Sequence, residues 1–369
     1  MLLKLSMHIM PPCSLQVHGI LSTKSTEGTM SQKARNYKEA GVDIEKAERF
    51  VSGIGPLIRS TFNDRVCTDL GGFCALYDQG DHYIASSTDG VGTKLLLAQQ
   101  LGIHNTVGID LVAMSVNDLL CSGALPIFFL DYLATGKLSL EAHQEVVQGI
   151  VEGCLQAQSP LMGGETAEMP GMYPNGEFDL AGFAVGLLPK NFVLKEESLK
   201  PGQHLIGVAS SGFHSNGYSL IRSNLEGINI ELKKKLLTPT QIYVSCVRDL
   251  LRMESKPIKR MAHITGSGFH NIRRISKDFN YQITLPHDFH RPEHMNQFLK
   301  HLDLSPSEAY ATFNMGIGLV IATDEPQVVL NAIHKNGLQA WNIGHIEAGQ
   351  GVIQISAQDL NESITLNDI

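Results

Sequence analysis

Residues 82–102 read HYIASSTDGVGTKLLLAQQLG. A short strand pattern runs into a turn built on Gly90 and Gly92, then into an apolar helix stopped by Gly102. A second copy of that plan starts after the turn signal Pro201-Gly202, in HLIGVASSGFHSNGYSLIR at 204–222. Strands that pass through glycine turns straight into helices restrict the chain to architectures mixing sheet and helix. The predicted class is therefore α/β, in its mixed α+β form, and periodicity leaves the sheet type open.

The pattern between these units predicts a helix from Ile44, capped by Asp43, and a helix over TVGIDLVAMSVNDLLCSG that is apolar on nearly every face. It also predicts a central strand at PIFFLDYLAT, an amphipathic helix over LSLEAHQEVVQGIVEGCLQA, and strands at SPLMGGET and FDLAGFAVGLL. The restart places a boundary near residue 195, giving domains at 36–195 and 196–369. The second is predicted to hold helices around 238–253, a strand at MAHIT, a helix from NIRRI, a strand at FNMGIGLVIA and a closing LQAWNIGHIEA. Residues 1–35 read as an unstructured leader, with Met30 as a candidate working start, since Lys4, His8, Pro11 and Pro12 interrupt any signal-like run. The tetrad Ser211-Gly212-Phe213-His214 returns as Ser267-Gly268-Phe269-His270, which suggests similar local geometry.

At 369 residues the chain is long enough for two cores, and with 43% apolar residues it belongs to the globular class. Its net charge of −8 without a basic block gives no reason to expect nucleic acid. No apolar run reaches the ~20 residues of a membrane span. Six cysteines without a Cys-x-x-Cys pair suit a reducing cytoplasm better than a disulfide scaffold or zinc ribbon.

Several residues can carry chemistry. Gly90 and Gly92 allow backbone N–H groups to approach an anion, Lys94 offers a point charge to phosphate, and Asp89 offers oxygen to Mg²⁺. The spacing is not a P-loop, and the same residues also describe a solvated Asp-Gly turn. Asn117-Asp118, with Asp110 two turns earlier, interrupts a greasy helix, where an unpaired carboxylate costs several kcal/mol and calls for a partner or a metal. Gly163, Gly164, Glu165 and Glu168 stand at a strand end, where open sheets place ligands. Gly71 and Gly72 form a loop able to fold over phosphates, or a plain turn. Ser211, Gly212, His214, Ser215 and Asn216 supply hydroxyls, glycine, an imidazole and an amide ahead of a helix, a suitable oxyanion nest. His263, alternating within an apolar strand, reads as a core histidine.

The chain resembles the phosphoribosylformylglycinamidine cyclo-ligase family, the aminoimidazole ribonucleotide synthetases. The resemblance rests on YKEAGVDI (37–44), TDGVGTKL (88–95), GIDLVAMSVNDL (108–119), FFLDYLATGKL (128–138), GGETAEMPGMY (163–173), SSGFHSNGYSL (210–220), TPTQIYV (238–244), AHITGSGFHNI (262–272) and TFNMGIG (312–318). It implies an ATP-dependent ring closure in purine synthesis. ATP phosphorylates the formyl oxygen of formylglycinamidine ribonucleotide, an amidine nitrogen attacks that carbon, and phosphate leaves aminoimidazole ribonucleotide. It implies Asp89, Asn117, Asp118 and Glu165 at Mg²⁺–ATP, with Asp89, Asp118 and Glu165 on the metal. Gly71, Gly72, Gly90, Gly92, Gly164 and Lys94 become ATP and phosphate contacts. Ser211, Gly212, His214, Ser215 and Asn216 become the substrate loop, and His214, Lys94 and Asp118 the catalytic set. A homodimer whose first domains join sheets into a barrel follows from the same resemblance, with K⁺ as a further candidate ion.

Two stretches depart from the family pattern. DLGGFCAL is poorer in glycine, and Ser267 interrupts a usual triple glycine. Other readings of the same residues are a relative such as selenophosphate synthetase, thiamine-phosphate kinase or formylglycinamidine synthetase, a Mg²⁺-dependent phosphohydrolase, and a nucleotide-binding regulator. Cys67 lacks the lysine neighbour that the first of these would need.

Overall fold

The computed structural model describes residues 34, 38–41, 43–68 and 72–367. The expected leader, apart from Ala34, and Gly71 of the glycine loop lie outside the described residues. Residues 33–369 pack as one unit built around two sheets.

The first sheet has five strands in the order β1-β2-β5-β3-β4: β1 Ala75–Asp78, β2 His82–Gly90, β3 Leu125–Thr135, β4 Leu161–Glu168 and β5 Phe178–Pro189. Only β3 and β4 run parallel. Helix α1 (Ile44–Arg59) precedes it, capped by the Asp43 carboxylate on the Lys46 N–H. Gly92, at φ +73°, turns the chain from β2 into α2 (Lys94–Leu101), and Gly102 at φ +63° ends that helix.

Helix α3 (Val107–Cys121) is buried almost throughout, as its apolar composition requires. Helix α4 (Leu140–Ala157) packs on it where glycines remove side chains: a Cβ on Gly108 would lie 2.3 Å from the Ile150 nitrogen. That close crossing fixes the height of α3 over the sheet. Along β5 the even-numbered residues Leu180, Gly182, Ala184 and Gly186 are buried, the two glycines against α3 and β3, while Phe183 on the other face is 42% exposed. The sheet therefore has one face under helices and one face largely open.

The second sheet has seven strands, β12-β11-β8-β10-β6-β9-β7, all antiparallel except β8 with β11. They are β6 His204–Ala209, β7 Arg260–His263, β8 Phe279–Thr284, β9 Ile317–Thr323, β10 Ala340–Ala348, β11 Ile353–Ser356 and β12 Ile364–Leu366. All seven residues of β9 are buried, as a central strand with both faces covered demands. Helix α3 packs against β7 and the helix Val244–Leu251, so one element carries the first sheet on one side and the second lobe on the other. Among the described residues no helix is long and apolar enough to cross a membrane.

Candidate active site

Strand β2 runs past its apolar stretch into the turn motif itself. Its pairing with β5 continues through Asp89 and Gly90, which delivers the Asp89 carboxyl to the rim of the sheet beside α3. One Asp89 oxygen accepts the Gly90 N–H at 2.8 Å. Burial, then the neighbouring negative charge of Asp118, pushes the Asp89 carboxyl up to about 6, while His263 and Arg274 pull it down. Asp89 and Asp118 are thus brought together, one from a strand and one from the last turn of α3.

Asp118 is held from the second lobe. Oδ1 lies 2.9 Å from Nδ1 of His263, a fully buried side chain on β7. A cavity of about 1040 Å³ opens at Asp118, with Thr88, Gly72, Phe73, Phe183 and Arg274 also on its walls and Asp89 beside Asp118. Two carboxylates beside an open cavity fit Mg²⁺, which takes one or two carboxylates and completes its shell with waters and phosphate oxygens.

Glu165 does not join them within one chain. The register runs Asp89–Gly182–Asp131–Gly164 across four strands, so β4 lies three spacings, about 14 Å, from β2. Alternation then puts Gly164 on the face that Asp89 uses and Glu165 on the opposite one. Among the described residues no group of three His, Cys, Asp or Glu side chains forms a metal cluster. Within one chain the three expected acids are therefore a pair and a separate glutamate, since spacing along the chain carries no strand register. Gly164 packs against Asp131, whose Oδ1 would lie 2.1 Å from an added Cβ, so its missing side chain serves sheet packing.

Lys94 also has a different place from the one expected. Its side chain is fully buried, with Nζ 2.8 Å from Oδ2 and 3.0 Å from Oδ1 of Asp110. It donates further to the carbonyls of His214 at 2.9 Å and Thr238 at 2.8 Å. Three acceptors occupy its three N–H groups, leaving none for phosphate. Oδ1 of Asp110 accepts from Thr240 as well, from its N–H at 2.7 Å and its hydroxyl at 2.6 Å. Lys94 and Asp110 together tie the start of α2 and α3 to two loops of the second lobe.

Asn117 is likewise a staple. Its Nδ2 donates to the Gln241 carbonyl at 2.8 Å and its Oδ1 accepts the Tyr243 N–H at 3.1 Å. The expected amide contact to Mg²⁺–ATP gives way to these two backbone partners.

The helix after the second motif begins at Tyr218, so 210–217 is a loop ahead of it, as the pattern places those residues. Ser211 donates to the Pro239 carbonyl, and the Ser215 and Thr240 hydroxyls lie 3.0 Å apart. Asn314 holds Gly212 through its carbonyl at 2.8 Å. His214 sits at φ +59°, only 1% exposed, with its ring against Gly318 and tilted over Tyr243. Its Nε2 accepts the Ser211 N–H at 3.3 Å, which places the ring proton on Nδ1, and Nδ1 has no hydrogen-bond partner among the described residues. Burial, then His263 and Lys94, holds the imidazole neutral, well below its ordinary range. Asn216 is half-buried between Met114 and Gly266, on the seam between the lobes. The residues of the second motif thus share one loop, pinned to α2 and α3 through Lys94 and Asp110.

Sequence reasoning assigned no role in the site to His263 or Arg274. The signal available for His263 was a polar residue ending an apolar strand, and only the α3–β7 contact gives it meaning.

Comparison with known proteins supplies the remaining constraint. A family model described as AIR synthase related protein, N-terminal domain, matches residues 71–188, and its C-terminal counterpart matches 200–355. A protein of Clostridium tetani (strain Massachusetts / E88) named phosphoribosylformylglycinamidine cyclo-ligase is 46% identical over 325 residues, covering 85% of this chain and 97% of its own length. A protein of the same name from Thermoanaerobacter pseudethanolicus is 44% identical, covering 86% of this chain and 98% of its own. Among solved structures, AaThiL complexed with AMPPCP and TMP superposes with a TM-score of 0.61 at 16% identity, covering 87% of this chain and 97% of its own. The two-domain α/β fold is common to these proteins.

Proposed function

Because the chain belongs to the AIR synthase related family, we propose that it closes the imidazole ring of aminoimidazole ribonucleotide from formylglycinamidine ribonucleotide, converting ATP to ADP and phosphate. The observation that carries this is the 46% identity to a cyclo-ligase along 97% of that relative's length. Asp118 on the wall of an open cavity, with Asp89 beside it, supports it. So does a shared fold with a protein solved with AMPPCP, an ATP analogue.

Mg²⁺, when bound, screens the phosphate oxygens and orients the transferring phosphoryl group. Asp89 and Asp118 would hold it, with His263 fixing the angle of the Asp118 carboxylate. Gly72, on the cavity wall, leaves room for phosphate, and Gly90 and Gly92 keep the β2–α2 turn free of side chains. The substrate loop contributes the neutral Nδ1–H of His214, a donor suited to an oxyanion on the phosphorylated substrate. Since that ring is buried, the loop must shift for the donor to reach it, and Lys94 holds the loop's other side in register.

A homodimer belongs to the same reading. The face of the first sheet opposite α3 and α4 exposes Phe183 and leaves Leu130 and Val185 half-buried, and β4 is exposed along most of its length. A second copy of that sheet would cover both, closing a barrel across the two chains. The reading places the enzyme in the cytoplasm.

The test mixes purified protein with ATP, Mg²⁺ and formylglycinamidine ribonucleotide and measures aminoimidazole ribonucleotide and ADP together. Stoichiometric formation of both supports the reading. ADP release independent of the ribonucleotide points to a phosphohydrolase, and absence of product overturns the assignment. Replacing K⁺ by Na⁺ in the same assay reads any need for the monovalent ion.

A further inference from the structure

We propose that Arg274 is a phosphoryl-binding residue, a cation on the wall of the same cavity as Asp118. The inference rests on the ligase reading for the names of its ligands and on the geometry for the site.

Arg274 ends the turn of 3₁₀ helix Gly268–Arg274, and its guanidinium lies over the Phe73 ring, 4.6 Å from the centroid. Stacking uses the face of the guanidinium and leaves its N–H fork free in the plane. Among the described residues no acceptor meets that fork. Its backbone is fixed from behind: the Arg274 carbonyl accepts from Arg260, which also donates to the Leu194 carbonyl.

The position is specific. Arg274 lines the cavity of about 1040 Å³ that holds Asp118 and a neighbouring one of about 510 Å³. The second also takes Arg260 and Lys277 on its walls, against the single carboxylate of Glu196. The Nε of Arg260 is buried without a partner among the described residues, so a second donor is uncommitted here. Arg274 is also close enough to lower the Asp89 carboxyl and the Cys121 thiol by its charge. A cation at the acid pair and an arginine on the wall between the two cavities would grip the same phosphoryl oxygens from two sides, the arrangement phosphoryl transfer requires.

Two sources share that chemistry, the polyphosphate of ATP and the 5′-phosphate of the ribonucleotide. Calorimetric titrations with Mg²⁺ would compare pyrophosphate, ADP, adenosine and formylglycinamidine ribonucleotide on wild type, Arg274→Gln and Arg274→Lys. Arg274→Gln should bind pyrophosphate and at least one phosphate-bearing ligand about tenfold to a hundredfold more weakly, with adenosine unchanged. A loss on ADP but not on the ribonucleotide assigns the polyphosphate, a loss on the ribonucleotide but not on ADP assigns its 5′-phosphate, and Arg274→Lys should fall between wild type and Arg274→Gln.

Wild-type affinities in Arg274→Gln for pyrophosphate, ADP and the ribonucleotide would overturn the proposal, even in an enzyme that turns over normally. Equal losses on adenosine and ADP would also overturn it, since they would mark a residue that only holds Phe73 in place. If the wild type forms no aminoimidazole ribonucleotide while pyrophosphate binding still depends on Arg274, the ligase reading fails and the phosphoryl subsite stands.

Discussion

Nδ1 of His263 lies 2.9 Å from Oδ1 of Asp118, across the contact between β7 and α3. Its other nitrogen, Nε2, faces the Asn117 amide nitrogen at 3.5 Å, and Asn117 is oriented by two backbone partners. Nε2 therefore faces a donor and Nδ1 carries the proton toward the carboxylate. A strand of one lobe sets the tautomer and aim of an acid belonging to the other.

His263→Leu should consequently weaken Mg²⁺ dependence before it weakens folding. Outer partners of metal-binding groups are worth about 10- to 100-fold in affinity or activity. Half-saturation for Mg²⁺ in the ring-closure assay should rise by that order, and His263→Asn should recover part of it. An unchanged Mg²⁺ titration in both variants would return His263 to the role of a core histidine.

The buried pair of Lys94 and Asp110 separates a structural from a phosphate-binding role. Both side chains are 0% exposed, so removing one strands a charge, at about 3–5 kcal/mol. Lys94→Met should lower the unfolding midpoint strongly, and Lys94→Met/Asp110→Leu should be less destabilised than the sum of the single changes. A Lys94→Met protein as stable as wild type but inactive would restore the phosphate role expected from the motif.

The motif DGVGTK shows what was legible in the sequence and why the rest was not. The strand, the glycine turn and the helix stopped at Gly102 follow from local pattern, and the structure has all three. The partner of Lys94 does not, because Asp110, Thr238 and His214 come to it from 16, 144 and 120 positions away. Glu165 stands apart from Asp89 within the chain for the complementary reason: an acid near in pattern lies on the opposite face once β5 and β3 intervene. The helix expected around 238–253 shrinks to Val244–Leu251 because Thr240 and Gln241 use their backbone to bind Asp110 and Asn117. Strands β8, β11 and β12 had no counterpart in the pattern reading, being short and placed mainly by pairing.

Asp89 predicts a pH dependence whose sign is fixed. Its folded carboxyl titrates near 6 against 3.8 unfolded, so the native state holds the proton more tightly. Stability from this group is present at low pH and lost as pH rises through about 6, a change of about 3 kcal/mol at most. In EDTA, Asp89→Asn should therefore gain on wild type in melting temperature between pH 4 and pH 7.5 (about the ends of that window). Mg²⁺ should narrow the gap by stabilising the ionised wild type. A constant difference across pH would show that Asp89 is not strained by burial beside Asp118.

The open face of the first sheet predicts the last outcome. Phe183 is 42% exposed on a central strand, with Leu130 and Val185 beside it in the cavity wall. Among the described residues, helix α1 contributes Ile58 to that wall, and the chain just after it Thr61 and Phe62. Apolar surface on the middle of a sheet is stable when a second layer covers it, and the exposed β4 offers unpaired backbone beside it. Phe183→Asp should then shift the protein from dimer to monomer in sedimentation equilibrium while leaving the secondary lobe and its circular dichroism intact. Glu165→Gln, on the same face but away from Asp89, should leave the Mg²⁺ titration of each protomer unchanged unless a partner's sheet brings it to the acid pair. A wild type that sediments as a monomer at all concentrations would remove the barrel from the reading.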